Sequence, residues 1–272
     1  MPKEGFHISL AENYLTSFPG NLPAAVRNQQ LAFLIGALSP DIFFYDLPTF
    51  SQSRFGNALH SLMEREGIAP ILNWLESDRS ALSETCQAWA LGFAGHFLAD
   101  AIWHPVINSL SLSNEVCCGG KLSPLNCHRF LECEMEAYRL TRTGSAAGYV
   151  YFLDAFRRDR GRLDGIATCY RRFLQHASLS PVPLEKKILE CYLRQNFLLR
   201  IFVSSLLGRQ RDRLLAFGPT RYLGALVVPA RPVLPPQFFR KFPEEQNPFS
   251  DRFVERWITS LSSLFSELPG RH

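Results

Sequence analysis

Residues 88–104 read AWALGFAGHFLADAIWH, an apolar stretch that carries His96, Asp100 and His104 at four-residue steps. A step of four is close to one helical turn, so the three side chains project from one face and can converge on a metal ion. Because an isolated buried carboxylate is costly, we expect a cation to neutralise Asp100, with an Asp100–His104 ion pair of structural role as the alternative. Pro105 follows at once and predicts that the helix ends near His104.

A second ligand pair lies downstream, where His128 and Glu132 repeat the four-residue step. An imidazole with a carboxylate favours zinc over calcium, which binds oxygen atoms alone. His7, Asp41 and His60 complete the inventory of candidate ligands in the first half of the chain. A single histidine is more often structural than a ligand, and it is the paired motifs that indicate a metal site.

The pattern of apolar residues predicts an all-α fold, since steps of three and four are frequent and alternating stretches are scarce. Asp41 is expected at the start of a loop, Asn57 and Ser83 at helix N-caps, and Gly208 just after a helix end. The predicted helices are 7–16, 23–38, 57–65, 68–76, 83–103, 127–142, 146–157, 162–176, 184–207 and 251–268.

Length and charge predict two halves of different charge within one structural domain of 272 residues. Residues 1–145 form a helical region with the ligand set, and residues 146–272 a basic helical half with a proline-rich strap or lid at 228–249. Residues 1–140 hold 8 Lys and Arg against 14 Asp and Glu, whereas residues 141–272 hold 21 against 11. The basic half suits an anionic substrate or an anionic lipid surface, and arginines on solvated helix faces are the alternative.

The cysteines and the N-terminus bear on the cellular compartment of the protein. Seven cysteines do not resemble a secreted disulfide framework, and the first residues do not resemble a secretory signal, so a cytoplasmic location is expected. The cluster Cys117, Cys118, Cys127 and Cys133 is expected to be free thiols, with metal binding or a redox role as alternatives. No segment reaches the ~18–20 apolar residues of a transmembrane helix. The apolar stripe from Phe253 to 268 predicts a helix docked on the core, with a membrane-surface or partner helix as the alternative.

With these residues in place, the chain resembles the zinc-dependent phospholipase C family, an all-helical group that is also similar to the S1/P1 nucleases. The most specific elements are GALSPD at 36–41 and the His-x3-Asp-x3-His-Pro pattern at 96–105. The resemblance covers about residues 5–140 and implies a multi-helix bundle of the phospholipase C/P1 nuclease type. The ligands follow the family's order: His7, Asp41, His60, His96, Asp100, His104, His128 and Glu132.

The resemblance implies two or three zinc ions. Asp41, His60 and His96 would hold one ion, and Asp100 would bridge it to a second ion held by His7. A third ion would be held by His104, His128 and Glu132. Secreted members also use the amino terminus as a ligand, and here removal of Met1 would expose Pro2.

The implied activity is hydrolysis of a phosphodiester such as a phospholipid by activated water, with Asp41 as a ligand that also accepts the proton. Tyr45, in the aromatic stretch after Asp41, is a candidate substrate contact because aromatic faces attract quaternary ammonium groups. Peripheral contact with an anionic membrane is a further expectation. The alternatives are a nuclease or 3′-nucleotidase that acts on nucleic acid, and a non-catalytic helical protein that binds metal.

Overall fold

The computed structural model describes residues 4–17, 22–46, 49, 51–112, 122–143, 159–229, 231–234, 238, 243–244, 247 and 250–267. Within these ranges every regular element is helical and no strand is present, which confirms the all-α prediction. The α-helices are α1 (Glu4–Ser17), α2 (Ala24–Asn28), α3 (Gln30–Leu38), α4 (Ser53–Glu66), α5 (Ala69–Ser77), α6 (Glu84–Leu112), α7 (Pro124–Thr143), α8 (Arg160–His176), α9 (Glu185–Phe202), α10 (Ser205–Ala216), α11 (Arg221–Leu226) and α12 (Asp251–Glu267). Short 3-10 helices lie at Ser39–Tyr45, Arg79–Ala81 and Gly218–Thr220.

Helix α6 begins where the sequence predicts and ends later. The Ser83 hydroxyl accepts a hydrogen bond from the Cys86 amide at 3.3 Å, so Ser83 is the expected cap. The prediction that Pro105 ends the helix is wrong, because α6 continues to Leu112. Pro105 removes one amide donor, but Trp103 and Ile107 on either side are each 1% exposed, and their burial holds the helical conformation across it.

Several other predicted boundaries are also wrong. The single helix at 23–38 is divided at Gln29, whose φ of −129° and ψ of 46° lie outside the helical region. The helix at 184–207 is divided before α10, where the Ser204 hydroxyl accepts from the Leu207 amide at 3.3 Å. Gly208 therefore lies inside α10, and Asn57 lies inside α4. Asp41 lies in the 3-10 helix Ser39–Tyr45, not in a loop. The helix predicted at 146–157 falls outside the described residues.

The chain forms two compact units. Unit 1 comprises Met1–Phe6, Ala101–Ala147 and Phe197–Val254, and unit 2 comprises His7–Asp100, Gly148–Asn196 and Glu255–His272. Each unit draws segments from both halves of the sequence. The division at 145/146 and the single structural domain stay predictions.

The core of unit 2 is aromatic. The Trp89 ring centroid lies 4.9 Å from Phe93 and 5.1 Å from Tyr170, and Phe173 lies 5.2 Å from Phe93. All four side chains are buried. Full burial of one such side chain stabilises the fold by about 1.5–3 kcal/mol, so this cluster holds the helices that pack against it in fixed positions.

The core of unit 1 contains a buried ion pair beside α7, which is buried at every position from 131 to 137. Arg211 of α10 pairs with Glu134 of α7, donates to the Gly224 carbonyl at 3.2 Å and lies 4.4 Å over the Phe130 ring. Because both charges are buried, each depends on the other for neutralisation.

The described part of the proline-rich segment 228–249 is attached to the same ion pair. The amides of Val233 and Leu234 donate to Glu134 Oε2 at 2.6 and 2.9 Å. Charge-assisted hydrogen bonds of this kind are stronger than neutral ones. The contact supports the strap interpretation for residues 233 and 234.

The described cysteines include residues that form disulfides. Cys86 of α6 is bonded to Cys169 of α8, and Cys127 is also disulfide-bonded, so the expectation of a free thiol at Cys127 is wrong. Cys133 is a free thiol as expected. The cytoplasmic location stays a prediction that has lost this support, because disulfides form and persist in oxidising compartments.

Helix α12 is docked on the core as predicted, since Phe253, Trp257 and Leu261 are at most 2% exposed. In unit 2 the Trp257 indole donates to the Gly95 carbonyl at 2.8 Å. The side chains of residues 264–268, also part of the predicted stripe, fall outside the described residues. None of the helices in the described ranges has the length and apolar character needed to traverse a bilayer.

Candidate metal centre

Five of the predicted ligands come together in unit 2. His7 lies on α1, Asp41 on the 3-10 helix after α3, His60 on α4, and His96 and Asp100 one turn apart on α6. Their ligand atoms form two overlapping sets, His7–His96–Asp100 and Asp41–His60–His96, in each of which all atoms lie within 4.8 Å of one another. His7, Asp41, His96 and Asp100 are buried, and the His60 side chain is 18% exposed. The site is therefore enclosed, with His60 on its open side.

The two carboxylates divide their oxygen atoms among the imidazoles. Asp100 Oδ1 lies 3.3 Å from His7 Nε2, while Asp100 Oδ2 lies 3.3 Å from His96 Nε2 and 3.9 Å from His60 Nε2. Asp41 Oδ1 lies 3.2 Å from His60 Nε2, and Asp41 Oδ2 lies 3.9 Å from His96 Nε2. Asp100 Oδ1 thus faces His7, whereas the other three carboxylate oxygens face His60 or His96.

The hydrogen bonds of two histidines fix which ring nitrogen faces the carboxylates. His96 Nδ1 lies 2.8 Å from the Ala37 carbonyl, and His60 Nδ1 lies 2.9 Å from the Gly56 carbonyl. A carbonyl oxygen only accepts, so Nδ1 donates in both rings and Nε2 of the neutral ring presents a lone pair. Among the described residues neither Nε2 atom has a hydrogen-bond partner.

Those lone pairs point at carboxylate oxygens, which are acceptors too. Two acceptors at this distance repel each other unless a cation lies between them or a proton is added to the ring. Ligating histidines commonly donate their other N–H to a carbonyl or carboxylate, as His96 and His60 do here. The residues present therefore fit a transition-metal ion.

Three more predicted ligands come together in unit 1. His128 Nε2 lies 2.9 Å and His104 Nε2 lies 3.8 Å from Glu132 Oε1, and all three form a candidate metal-binding set. Glu132 is 2% exposed, whereas the His104 and His128 side chains are 19% and 18% exposed. His128 Nδ1 is hydrogen-bonded to the Asn108 side chain at 3.0 Å, which leaves Nε2 toward Glu132. The arrangement repeats that of the first set with a side-chain amide in place of a carbonyl.

Two glycines place the carbonyl that orients His96. A Cβ atom on Gly36 of α3 would lie 2.0 Å from the Trp89 carbonyl oxygen, and one on Gly92 of α6 would lie 1.9 Å from the Phe33 carbonyl oxygen. Only glycine permits the two helices to approach this closely. The approach brings the Ala37 carbonyl, next to Gly36, within hydrogen-bond distance of His96.

A buried polar network fixes the turn that carries Asp41. The Ser39 hydroxyl donates to the Ile35 carbonyl at 2.7 Å, is hydrogen-bonded to the Tyr192 hydroxyl, and accepts from the Trp89 indole at 2.7 Å. The Tyr170 hydroxyl donates to the Ser39 carbonyl at 3.2 Å. Burial raises the pKa of both tyrosines, so their hydroxyls stay protonated and available as donors.

With this geometry established, the comparison with known families decides the affiliation. The sequence profile described as zinc-dependent phospholipase C matches residues 6–175. The chain belongs to this family. No curated protein and no solved structure matched the chain.

The matched region of this zinc-dependent phospholipase C chain contains all eight predicted ligands. The structure brings five of them together in unit 2 and three in unit 1. Their assignment to individual ions stays a proposal. Residues 1–3, and with them the predicted role of Pro2, fall outside the described residues.

The aromatic stretch after Asp41 is divided between core and site. Tyr45 is 1% exposed and Phe43 is fully buried, so burial gives no support to a substrate contact by Tyr45, which stays a prediction. Phe44 instead packs beside a ligand, with its ring centroid 5.5 Å from that of His60. The sequence did not distinguish these neighbours, because a short 3-10 helix has no regular apolar face.

Asp46, which the sequence analysis did not single out, is a buried carboxylate with a structural role. It accepts hydrogen bonds from Ser51 at 2.6 Å and Lys187 at 3.0 Å, and it also pairs with Arg194. Burial alone would raise the pKa of Asp46, but hydrogen bonds from Ser51, Lys187 and Thr49 outweigh it and lower the pKa to about 2. Asp46 therefore stays ionised, and its hydrogen bonds and ion pairs fix the end of the 3-10 helix.

Proposed function

We propose that this protein is a zinc-dependent phosphodiester hydrolase of phospholipase C type, which releases the phosphorylated headgroup of a phospholipid. The observation that carries the proposal is the convergence of two buried carboxylates with imidazoles whose Nε2 lone pairs face them. Membership of the zinc-dependent phospholipase C family supports the reaction class.

The hydrogen bonds also support an assignment of ligands to two ions in unit 2. His96 appears in both candidate sets, but its Nδ1 is hydrogen-bonded to the Ala37 carbonyl, so only Nε2 can serve one ion. Asp100 has two oxygens that face different imidazoles. As the resemblance to the family implies, we assign Asp41, His60 and His96 to one ion, His7 to the second, and Asp100 as the bridge.

Zinc, when bound, supplies an activated water and positive charge at the phosphate group. Three neutral imidazoles and two carboxylates balance only half the charge of two divalent cations, so the loaded site attracts a phosphodiester anion. Asp41 holds its ion through a carboxylate fixed by the Ser39 turn, and it is also the proposed proton acceptor. Burial of Asp100 and His7 excludes bulk water from the inner side of the site.

The second group is proposed to hold the third ion. His104, His128 and Glu132 offer two nitrogens and a carboxylate, a ligand set that suits zinc. Asn108 fixes the ring orientation of His128 and directs its Nε2 to the group.

A matched pair of variants tests the proposal. Asp100→Asn replaces one of two bridging oxygens by an amide, whereas Asp164→Asn makes the same chemical change at an exposed position of α8. Zinc per chain is measured by elemental analysis, and headgroup release is measured on phosphatidylcholine. We expect Asp100→Asn to lose at least one ion and more than about 100-fold in activity, since loss of a supporting partner alone costs up to that much. Asp164→Asn should match the wild type in both measurements.

Three outcomes would contradict the proposal. Full zinc content and wild-type turnover in Asp100→Asn would remove the bridging role. Cleavage of single-stranded DNA without headgroup release would favour the nuclease alternative. Stoichiometric zinc with hydrolysis of neither substrate would indicate a structural metal in a non-catalytic protein.

A further inference from the structure

A long segment of unit 1 is strongly basic. Residues 197–243 contain eight Lys and Arg and a single acidic residue, Asp212. Arg211 is buried with Glu134, so it contributes no exposed charge. The other arginines of α10, Arg209 and Arg213, are exposed. A surface with this balance attracts anionic partners.

Large apolar side chains are exposed along the same segment. Leu206 is 71% and Phe217 is 63% exposed, and Phe197 and Val233 are 63% and 59% exposed. Single exposed apolar residues are ordinary, but several of this size within one basic segment mark an interaction surface.

Two apolar side chains flank two arginines on one face of α10. Leu206, Arg209, Arg213 and Phe217 follow one another at steps of three, four and four residues, which places them in one row along the helix and its C-cap. All four are exposed. We call this row the α10 face. A groove of about 220 Å³, lined by apolar residues that include Leu140, Val203 and Val228, opens beside the start of the helix at Ser204.

We propose that the α10 face binds an anionic phospholipid surface. Apolar side chains at both ends of a pair of arginines match a bilayer interface, where Leu206 and Phe217 enter the boundary of the acyl chains and Arg209 and Arg213 stay among the phosphates. Nucleic acid is less suitable, because of the two apolar side chains of the face only Phe217 has a ring that can stack on a base. The inference gives the proposed function a route to its lipid substrate, and binding itself needs no catalysis.

Vesicle co-sedimentation tests the proposal with vesicles of phosphatidylcholine alone and of phosphatidylcholine with phosphatidylserine. We expect the wild type to bind the phosphatidylserine vesicles more tightly and to lose that preference at high salt. Leu206→Ser/Phe217→Ser should weaken binding by at least about tenfold. Arg209→Gln/Arg213→Gln should weaken it by about fivefold for each arginine. Leu184→Ser, at a leucine that is 65% exposed outside this segment, is the matched control and should bind as the wild type does.

Two further readouts separate this proposal from the proposed function. Hydrolysis of a water-soluble phosphocholine ester should be unchanged in both double variants, while hydrolysis of vesicle lipid falls with binding. Vesicle binding by a wild type that hydrolyses neither substrate would uphold the α10 face and overturn the proposed function. Equal vesicle binding by wild type and double variants would overturn the α10 face. A change of oligomeric state in place of vesicle binding would also overturn it, because the face would then join two copies of the chain.

Discussion

Replacement of Gly36 by alanine tests how the fold orients the candidate ligands. The added Cβ would lie 2.0 Å from the Trp89 carbonyl oxygen and 2.9 Å from the Phe93 amide nitrogen, whereas ordinary contact begins at 3.4 Å. Relief of the first contact requires α3 and α6 to separate by about 1.4 Å. The Ala37 carbonyl is adjacent, so its 2.8 Å hydrogen bond to His96 Nδ1 would stretch beyond hydrogen-bond length.

This displacement should have two measurable effects, one on stability and one on zinc affinity. Overpacking should lower the free energy of unfolding by about 1–3 kcal/mol. Loss of the Ala37–His96 hydrogen bond should lower zinc affinity by about 10–100-fold, because a ligating histidine depends on the partner of its other nitrogen. Unfolding of the zinc-free protein by urea measures the first effect, and competition with a chelator measures the second.

Gly165→Ala is the matched control. Gly165 lies on α8 with nothing within 4 Å of an added Cβ, so alanine should raise stability by up to about 1 kcal/mol and leave zinc affinity unchanged. If Gly36→Ala kept wild-type stability and zinc affinity, the close approach of α3 and α6 would not be what orients His96. Loss of stability with unchanged zinc affinity would separate packing from ligand orientation and refute the second step.

Three more substitutions test the surrounding structure. Asp46→Asn should lower the free energy of unfolding, measured by urea titration, by about 2 kcal/mol at pH 7. The pKa of Asp46 in the folded state is about 2, below the ordinary value of 3.8. The difference in stability from the wild type should therefore vanish as the pH falls from about 4 to 2. Tyr192→Phe removes a hydroxyl that accepts from the Trp89 indole at 3.2 Å, and it should cost about 1 kcal/mol in the same assay. Arg211→Met leaves the buried Glu134 carboxylate without its cation and should lower the free energy of unfolding by about 3–5 kcal/mol. The double variant Arg211→Met/Glu134→Gln should recover a large part of this loss. No recovery in the double variant would contradict the mutual neutralisation of Arg211 and Glu134.

The predictable part of the site is the part encoded in short spacings. His96 and Asp100, like His128 and Glu132, are one helical turn apart, and a turn-length step brings side chains together in any helix. The same periodicity predicts an all-α fold, which the described residues confirm. His7, Asp41 and His60 could be placed only by the resemblance to the family, because nothing local joins them to α6.

The parts that sequence analysis missed depend on contacts between distant residues. The hydrogen bond between Ser39 and Tyr192 spans 153 positions, and the Cys86–Cys169 disulfide spans 83. Pro105 predicts a helix end because the local cost of proline within a helix is known, whereas the burial that offsets this cost arises from tertiary contacts. Nothing local in the sequence explains Gly36 and Gly92, and only the backbone contact between α3 and α6 shows why glycine is required there.

The groups that orient the histidine rings differ in whether a single substitution can remove them. His96 and His60 are oriented by the main-chain carbonyls of Ala37 and Gly56, which every amino acid possesses, whereas His128 depends on the side chain of Asn108. A single nucleotide change can therefore alter the ring orientation of His128, but the ring orientations of His96 and His60 change only if a helix backbone moves. Laboratory evolution of this chain should accordingly find altered metal preference at position 108 much sooner than around His96.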